Sequence, residues 1–216
     1  MKKSFALLTS VFFIGNLYLN ELPIIEYKSI NHPIIDNDGM VVSQRIIASE
    51  VGAEILRQGG NAVDASVAVG FALAVTLPRA GNLGGGGFIL IYDNETDKIS
   101  SIDYRSAAPK SSTSEMFLEG DNVVKFGHLV NAVPGSVAGL LKAHEVHGSL
   151  PLSILLKPAI RLAKNGFEVT HDLNYVLTWG AESLLKNQVS KEKFYDQSEE
   201  AISVKSLYKQ RSLATP

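Results

Sequence analysis

The run from Asn61 to Tyr92, NAVDASVAVGFALAVTLPRAGNLGGGGFILIY, constrains this chain more than any other stretch. Between Ala62 and Thr76 the only polar side chains are Asp64, Ser66 and the terminal Thr76, so a helix there has no solvent face and must be covered on all sides. It is too short to span a bilayer, which takes about 18 or more apolar residues. Asn61 is suited to cap its start. Asp64 falls in the first turn, where a carboxylate complements the helix dipole, and Pro78 forbids continuation past Leu77.

Four consecutive glycines, Gly84 to Gly87, then follow Gly81-Asn82-Leu83, and Phe88 to Tyr92 reads as a short buried strand. Such a run costs conformational entropy, so it implies backbone conformations or close approaches that a Cβ would block. A phosphate loop does not fit. Neither GxGxxG nor GxxxxGK[ST] can be laid over Gly81 to Gly87, and the order of helix, glycines, strand reverses the order of those loops. Two readings stay open, a tight junction against a neighbouring backbone and a loop lining an active site.

The 216 residues, 45% of them hydrophobic, suffice for one sizeable core or two small ones. The net charge of −2 leaves no basic footprint for nucleic acid, and the lack of cysteine removes disulfides, thiolate catalysis and cysteine-based zinc sites. Residues 1–25 begin Met1-Lys2-Lys3 and continue apolar from Phe5 to Leu19, the pattern of a secretory signal. Asn20-Glu21-Leu22-Pro23 is poor cleavage chemistry, so an uncleaved anchor or a hydrophobic strand is the other reading. Residues 26–39 are a polar lead-in, and residues 40–216 form the domain.

Within that domain Met40-Val41-Val42 suggests an opening strand, and Ser43 can cap the amphipathic helix of Ile47, Val51 and Ile55 that Gly59-Gly60 ends. Glu50, Glu54 and Arg57 should form its solvated face. Asp93 to Asp97 is a turn cluster joining two extended runs into a hairpin. Gly120-Asp121-Asn122 is another turn. Helices are expected over Ser136–His147, with Ser136 as cap, over Pro151–Asn165, where Pro158 should kink or divide the chain, and after Thr170 as a cap. Beyond Gly180 the pattern weakens.

Several ordered motifs closely resemble the amino-terminal region of the gamma-glutamyltranspeptidases. They are Gly59-Gly60-Asn61-Ala62-Val63-Asp64-Ala65, Gly81-Asn82-Leu83-Gly84-Gly85-Gly86-Gly87-Phe88, Asp103-Tyr104-Arg105 with Ala108-Pro109, Pro134-Gly135-Ser136-Val137-Ala138-Gly139, Pro158-Ala159-Ile160 and Gly166-Phe167. The resemblance implies an α/β chain with part of an N-terminal nucleophile hydrolase fold, layered αββα, made as a precursor that cuts itself into large and small subunits. It also implies a periplasmic or secreted location and transfer of the γ-glutamyl group of glutathione to water or an amino acid. No metal and no organic cofactor is implied.

Arg105 is the candidate substrate-binding residue. By the resemblance, the arginine of the Asp-aromatic-Arg motif holds the α-carboxylate of the γ-glutamyl group, and a guanidinium can do so through two parallel N–H···O bonds. The other reading is a surface arginine paired with Asp103 or Glu115. The motif departs from the commoner family text at Ser106-Ala107, which affects the local shape of the pocket.

No catalytic residue is assigned. The family's nucleophile is a threonine in a Thr-Thr-His-aromatic-Ser setting, and these 216 residues contain no such run. The expectation is therefore the front part of a larger domain, inactive alone. The rival readings are a related cephalosporin acylase or polyglutamate-processing enzyme, and a non-catalytic piece, either a decayed gene product or a binding subunit for a separately encoded small subunit. Thr170-His171-Asp172 is assigned to capping, Asp64 to the helix start, and His144 and His147 to the surface. An uncovered sheet and poor solubility are expected of the piece alone.

Overall fold

The computed structural model describes residues 35–117 and 130–215. It falls into two compact units, Met1–Asn37 and Asp38–Pro216, and every described helix and strand belongs to the second. The hydrophobic segment over residues 1–25, most of the polar lead-in and the Gly120-Asp121-Asn122 turn lie outside the described residues. Among the described residues no helix is long and apolar enough to cross a membrane.

Helix α1 spans Ile46–Arg57 and buries Ala48, Val51, Gly52 and Ile55 on one face, leaving Glu50, Glu54 and Arg57 in solvent. Its end follows from two glycines. Gly59 adopts φ +87°, Gly59 N–H reaches Leu56 C=O at 2.9 Å and Gly60 N–H reaches Ile55 C=O at 3.0 Å, the paired closure that only a left-handed residue permits cheaply. Two expectations are corrected at its start. Arg45, not Ser43, takes the N-cap position, because the Ser43 hydroxyl turns back to donate to Arg45 C=O at 2.8 Å. Met40-Val41-Val42 forms no strand; Val41 instead lies over Gly52, where an added Cβ would sit 2.7 Å from its Cγ1.

Helix α2, Ala62–Thr76, is the centre of the helical layer. Asn61 Oδ1 accepts from the Val63 and Asp64 amides at 2.9 Å each, and the Asp64 carboxylate accepts from Asn61 N–H at 3.0 Å, a reciprocal capping box. Its buried residues, from Val63 through Thr76, pack with α1 on one side. On the others stand α3 (Ser136–His147) and α4 (Leu152–Asn165). The expected cover is not complete. Ala62 and Ser66 stay exposed, since they face a cleft of about 430 Å³ that Met40, Val41, Ile89 and Tyr104 also line. Helix α4 runs undivided through Pro158, so of the kink or division expected there the division does not occur; the proline costs the ladder one N–H donor, and Leu155, Ala159 and Ala163 still bury the helix's inner face.

Strands β1 (Phe88–Asp93) and β2 (Lys98–Asp103) pair antiparallel, with Phe88 opposite Asp103, Leu90 opposite Ser101 and Tyr92 opposite Ile99. Ile89, Ile91 and Ile102 pack against the helical layer. The alternate face does not. Phe88 is 68% exposed, Leu90 75% and Ile99 71%, so the strand expected to be buried is covered on one side only. A second core gathers Val75, Ala159, Ala163, Val169, Leu173 and Leu177 around Phe167 and Tyr208, whose rings meet edge to face at 5.8 Å. Those rings belong to a short antiparallel pair, β3 (Phe167–Glu168) and β4 (Leu207–Tyr208). Helices α5 (His171–Trp179), α6 (Ala181–Leu184) and α7 (Gln188–Phe194) lie between them in sequence.

Candidate functional site

Arg105 leaves the hairpin two residues after β2 ends, on a backbone that four glycines enclose. Tyr104 N–H donates to Gly87 C=O at 3.0 Å, which extends the pairing of the two strands by one residue. A Cβ at Gly86 would collide with Ser106 N and lie 2.8 Å from Tyr104 O. At Gly135 it would fall on Tyr104 O, and at Gly139 on the Tyr104 ring. The glycine run is itself tied to the start of α3, since Gly85 C=O accepts from Gly135 N–H at 2.9 Å and Ser136 N–H at 3.0 Å. The sequence left two readings of these glycines open; the tight junction is present, and it packs directly beneath the candidate arginine.

Neighbours in extended backbone point to opposite sides. The Tyr104 ring therefore turns inward to the cleft beside α2 and is half-buried, which pushes its phenol above the ordinary value. Arg105 turns outward and is exposed. Neither carboxylate considered as its partner takes the guanidinium. Asp103 accepts the Arg105 backbone N–H at 2.9 Å, and Glu115 accepts the Ser114 hydroxyl at 2.8 Å. Among the described residues the guanidinium has no ion pair, so two parallel donors are available to an incoming carboxylate.

The other candidates are spoken for. Asp64 is fully buried and, besides Asn61 N–H, accepts from Ser149 N–H at 3.1 Å, Ser149 Oγ at 2.5 Å and Leu150 N–H at 3.3 Å, so it joins the start of α2 to the turn between α3 and α4. Burial alone pushes this acid up, but the hydrogen bonds from Ser149, Asn61 and Leu150 outweigh it and hold the carboxyl below its usual range. Thr170 caps α5, accepting from Leu173 N–H at 3.3 Å. Ser136 is not a cap: Gly135 holds the N-cap position and Ser136 is the first helical residue. His144 is not a plain surface residue either. It is half-buried, and its Nε2 bonds Leu150 C=O at 2.7 Å. Among the described residues no group of three or more His, Asp or Glu side chains is placed to hold a metal ion.

Sequence reasoning missed the part played by Gly135 and Gly139. The signal was present, because two glycines four apart fall on one face of a helix and admit a close neighbour there. What it could not give was the neighbour, Tyr104, which is some thirty residues away in the chain.

Comparison with known proteins places the site in context. The gamma-glutamyltranspeptidase family model matches residues 48–216. The glutathione hydrolase proenzyme of Escherichia coli strain K12 is 43% identical over 178 residues, which cover 80% of this chain and 30% of that protein. The crystal structure of Helicobacter pylori gamma-glutamyltranspeptidase superposes with a TM-score of 0.81 at 38% identity, covering 84% of this chain and 54% of that one. A cephalosporin acylase from Bacillus halodurans superposes with a TM-score of 0.73 at 25% identity, covering 88% of this chain and 38% of that one. The chain spans less than a third of the length of the curated relatives it matches. The mixed helix and sheet layers are those of part of an N-terminal nucleophile hydrolase fold.

Proposed function

This chain belongs to the gamma-glutamyltranspeptidase family, and we propose that it carries the donor-carboxylate grip of a γ-glutamyl transfer site, with Arg105 as the gripping residue. The reaction served is transfer of the γ-glutamyl group of glutathione to water or to an amino acid. The observation that carries this reading is an outward guanidinium without an anionic partner among the described residues, mounted on a backbone fixed by Gly86 and Gly135. A charged hydrogen bond to such a group is worth about 1.5–3 kcal/mol when shielded, and less while the site stands open to water. Binding to these 216 residues alone is accordingly weak.

The bond-breaking step needs a nucleophile in a setting that these residues do not contain, so the 216-residue polypeptide by itself binds without turnover. A second chain segment bearing the threonine completes the site. The basic and apolar pattern of Met1 to Leu19 supports a periplasmic or secreted protein.

Two measurements test the proposal. Incubation with a γ-glutamyl anilide should release no aniline, and hydrolysis that Arg105→Ala abolishes would refute the division of labour. Titration with glutathione, followed by NMR of the arginine side-chain N–H groups, should move the Arg105 resonance. A silent Arg105 sinks the grip itself. Competition by glutaryl amides against glutathione separates this reading from the acylase one, which the similarity to the Bacillus halodurans enzyme raises.

A further inference from the structure

The residue before the arginine is hemmed in by glycines from two chain segments, and nothing but shape confines its side chain. Gly87, at the end of the glycine run, would place a Cβ 2.8 Å from Tyr104 Oη and 2.9 Å from Cζ. Gly139, one turn into α3, would place a Cβ on the Cβ and Cγ of the same residue. Gly135 meets its carbonyl oxygen. The Tyr104 hydroxyl forms no hydrogen bond among the described residues, so no polar contact holds the ring. Three glycines from two chain segments make a slot whose walls a single methyl group would breach.

We infer that Gly87, Gly135 and Gly139 form this slot as a positioning device for Arg105, with Tyr104 as the intermediary. The inference rests on the carboxylate reading above and deepens it. Tyr104 and Arg105 share a peptide and alternate in direction, so a ring pushed out of the slot carries the guanidinium with it. A bidentate contact demands that two N–H groups meet two oxygens at once, and it tolerates less displacement than a point charge would. An arginine on a merely well-packed hairpin would be held in place by Ile89, Ile91 and Ile102; here a separate fixture acts on the residue next to it.

The test uses the full chain, glutathione as the probe and the Arg105 side-chain resonance as the readout, with thermal stability measured alongside. Gly139→Ala should weaken glutathione binding by about threefold to tenfold, the share of affinity that one charged contact in a site open to water can carry. Leu155→Ala, on α4 and in contact with none of the three glycines, supplies a loss of core stability that leaves the slot intact and should leave affinity within about twofold. Gly87→Ala is the milder variant, since it meets only the far end of the ring. Its effect should vanish in a Tyr104→Leu background, because the atoms it strikes are gone.

Wild-type protein whose Arg105 resonance ignores glutathione overturns the carboxylate reading and this inference with it. A wild-type response that Gly87→Ala and Gly139→Ala leave no weaker than Leu155→Ala does overturns the inference alone. So does a Gly87→Ala penalty of equal size with and without the Tyr104 ring.

Discussion

Removal of the Asp64 carboxylate is the sharpest test of how this domain is held together. Asp64→Ala deprives three backbone amides, those of Asn61, Ser149 and Leu150, and the Ser149 hydroxyl of one shared acceptor. Asn61 and Ser149 are exposed enough for water to take over part of that duty. Loss of a helix cap of this kind costs about 0.5–2 kcal/mol, and a buried donor to a charged group about 1.5–3 kcal/mol. With half of the second figure recovered through hydration, a loss of about 2.4 kcal/mol follows, or a fall of roughly 5–10 °C in Tm for a chain of this size. Ser149→Ala removes the hydroxyl alone and should cost about 1 kcal/mol.

Acid should weaken the same junction. Because the folded carboxyl titrates below its unfolded value, its stabilisation is complete above the ordinary carboxylate range and is lost as pH falls through the folded value. Urea melts from pH 7 down to pH 3 should therefore show a decline in wild-type stability that Asp64→Ala flattens. A variant that melts within about 1 kcal/mol of wild type at neutral pH would show that the turn after α3 stands without this acceptor.

Two further outcomes are expected from the cores and the open sheet. Tyr208, buried between Phe167 and Phe194, has its phenol pushed up to about 12 by desolvation, so its contribution is complete below the unfolded phenol value and lost as pH rises past it. Tyr208→Phe should be near neutral at pH 7 and should blunt alkaline unfolding between about pH 10 and 12, read by circular dichroism. On the outer face of the hairpin, Leu90→Lys should raise the concentration at which the chain stays monodisperse by light scattering while shifting Tm by less than about 2 °C, because that side chain touches little. A Tm loss matching a buried leucine would mean the face is covered.

What could be read from the sequence was whatever is decided within one turn of the chain. Asn61 with Asp64 three residues on, Thr170 before α5, and Gly59-Gly60 after α1 announce themselves because cap and capped amide are neighbours. The failures share a cause. Ser43 and Ser136 are good capping residues by type, yet one hydroxyl donates to the Arg45 carbonyl instead of accepting a first-turn amide, and the other serine was drawn one position into its helix by the bonds from Gly135 and Ser136 to Gly85. Met40-Val41-Val42 has strand composition, but a strand needs a partner, and Gly52 offered a better seat for Val41. Pro158 should disrupt a helix in isolation; the packing of Leu155, Ala159 and Ala163 outweighs one missing hydrogen bond.

The glycine run marks the boundary between the two kinds of information. Glycine in a sequence reports that something is close, or that the chain turns, without saying which. Gly59 and Gly166 take positive φ, and there the residue answers to its own backbone. None of Gly84 to Gly87 does, so the four have no conformational excuse, and two of them answer to Tyr104 instead. That contrast moves the weight of the site from the loop to what the loop holds. If the glycines served to wrap a ligand with their own amides, Gly87 N–H would not be turned to Tyr104 C=O at 3.4 Å, and Gly87 would not be closed off by a tyrosine ring. The chemistry readable here is one of support, in which an unusually small run of residues exists so that a single large side chain next to Arg105 has one place to be.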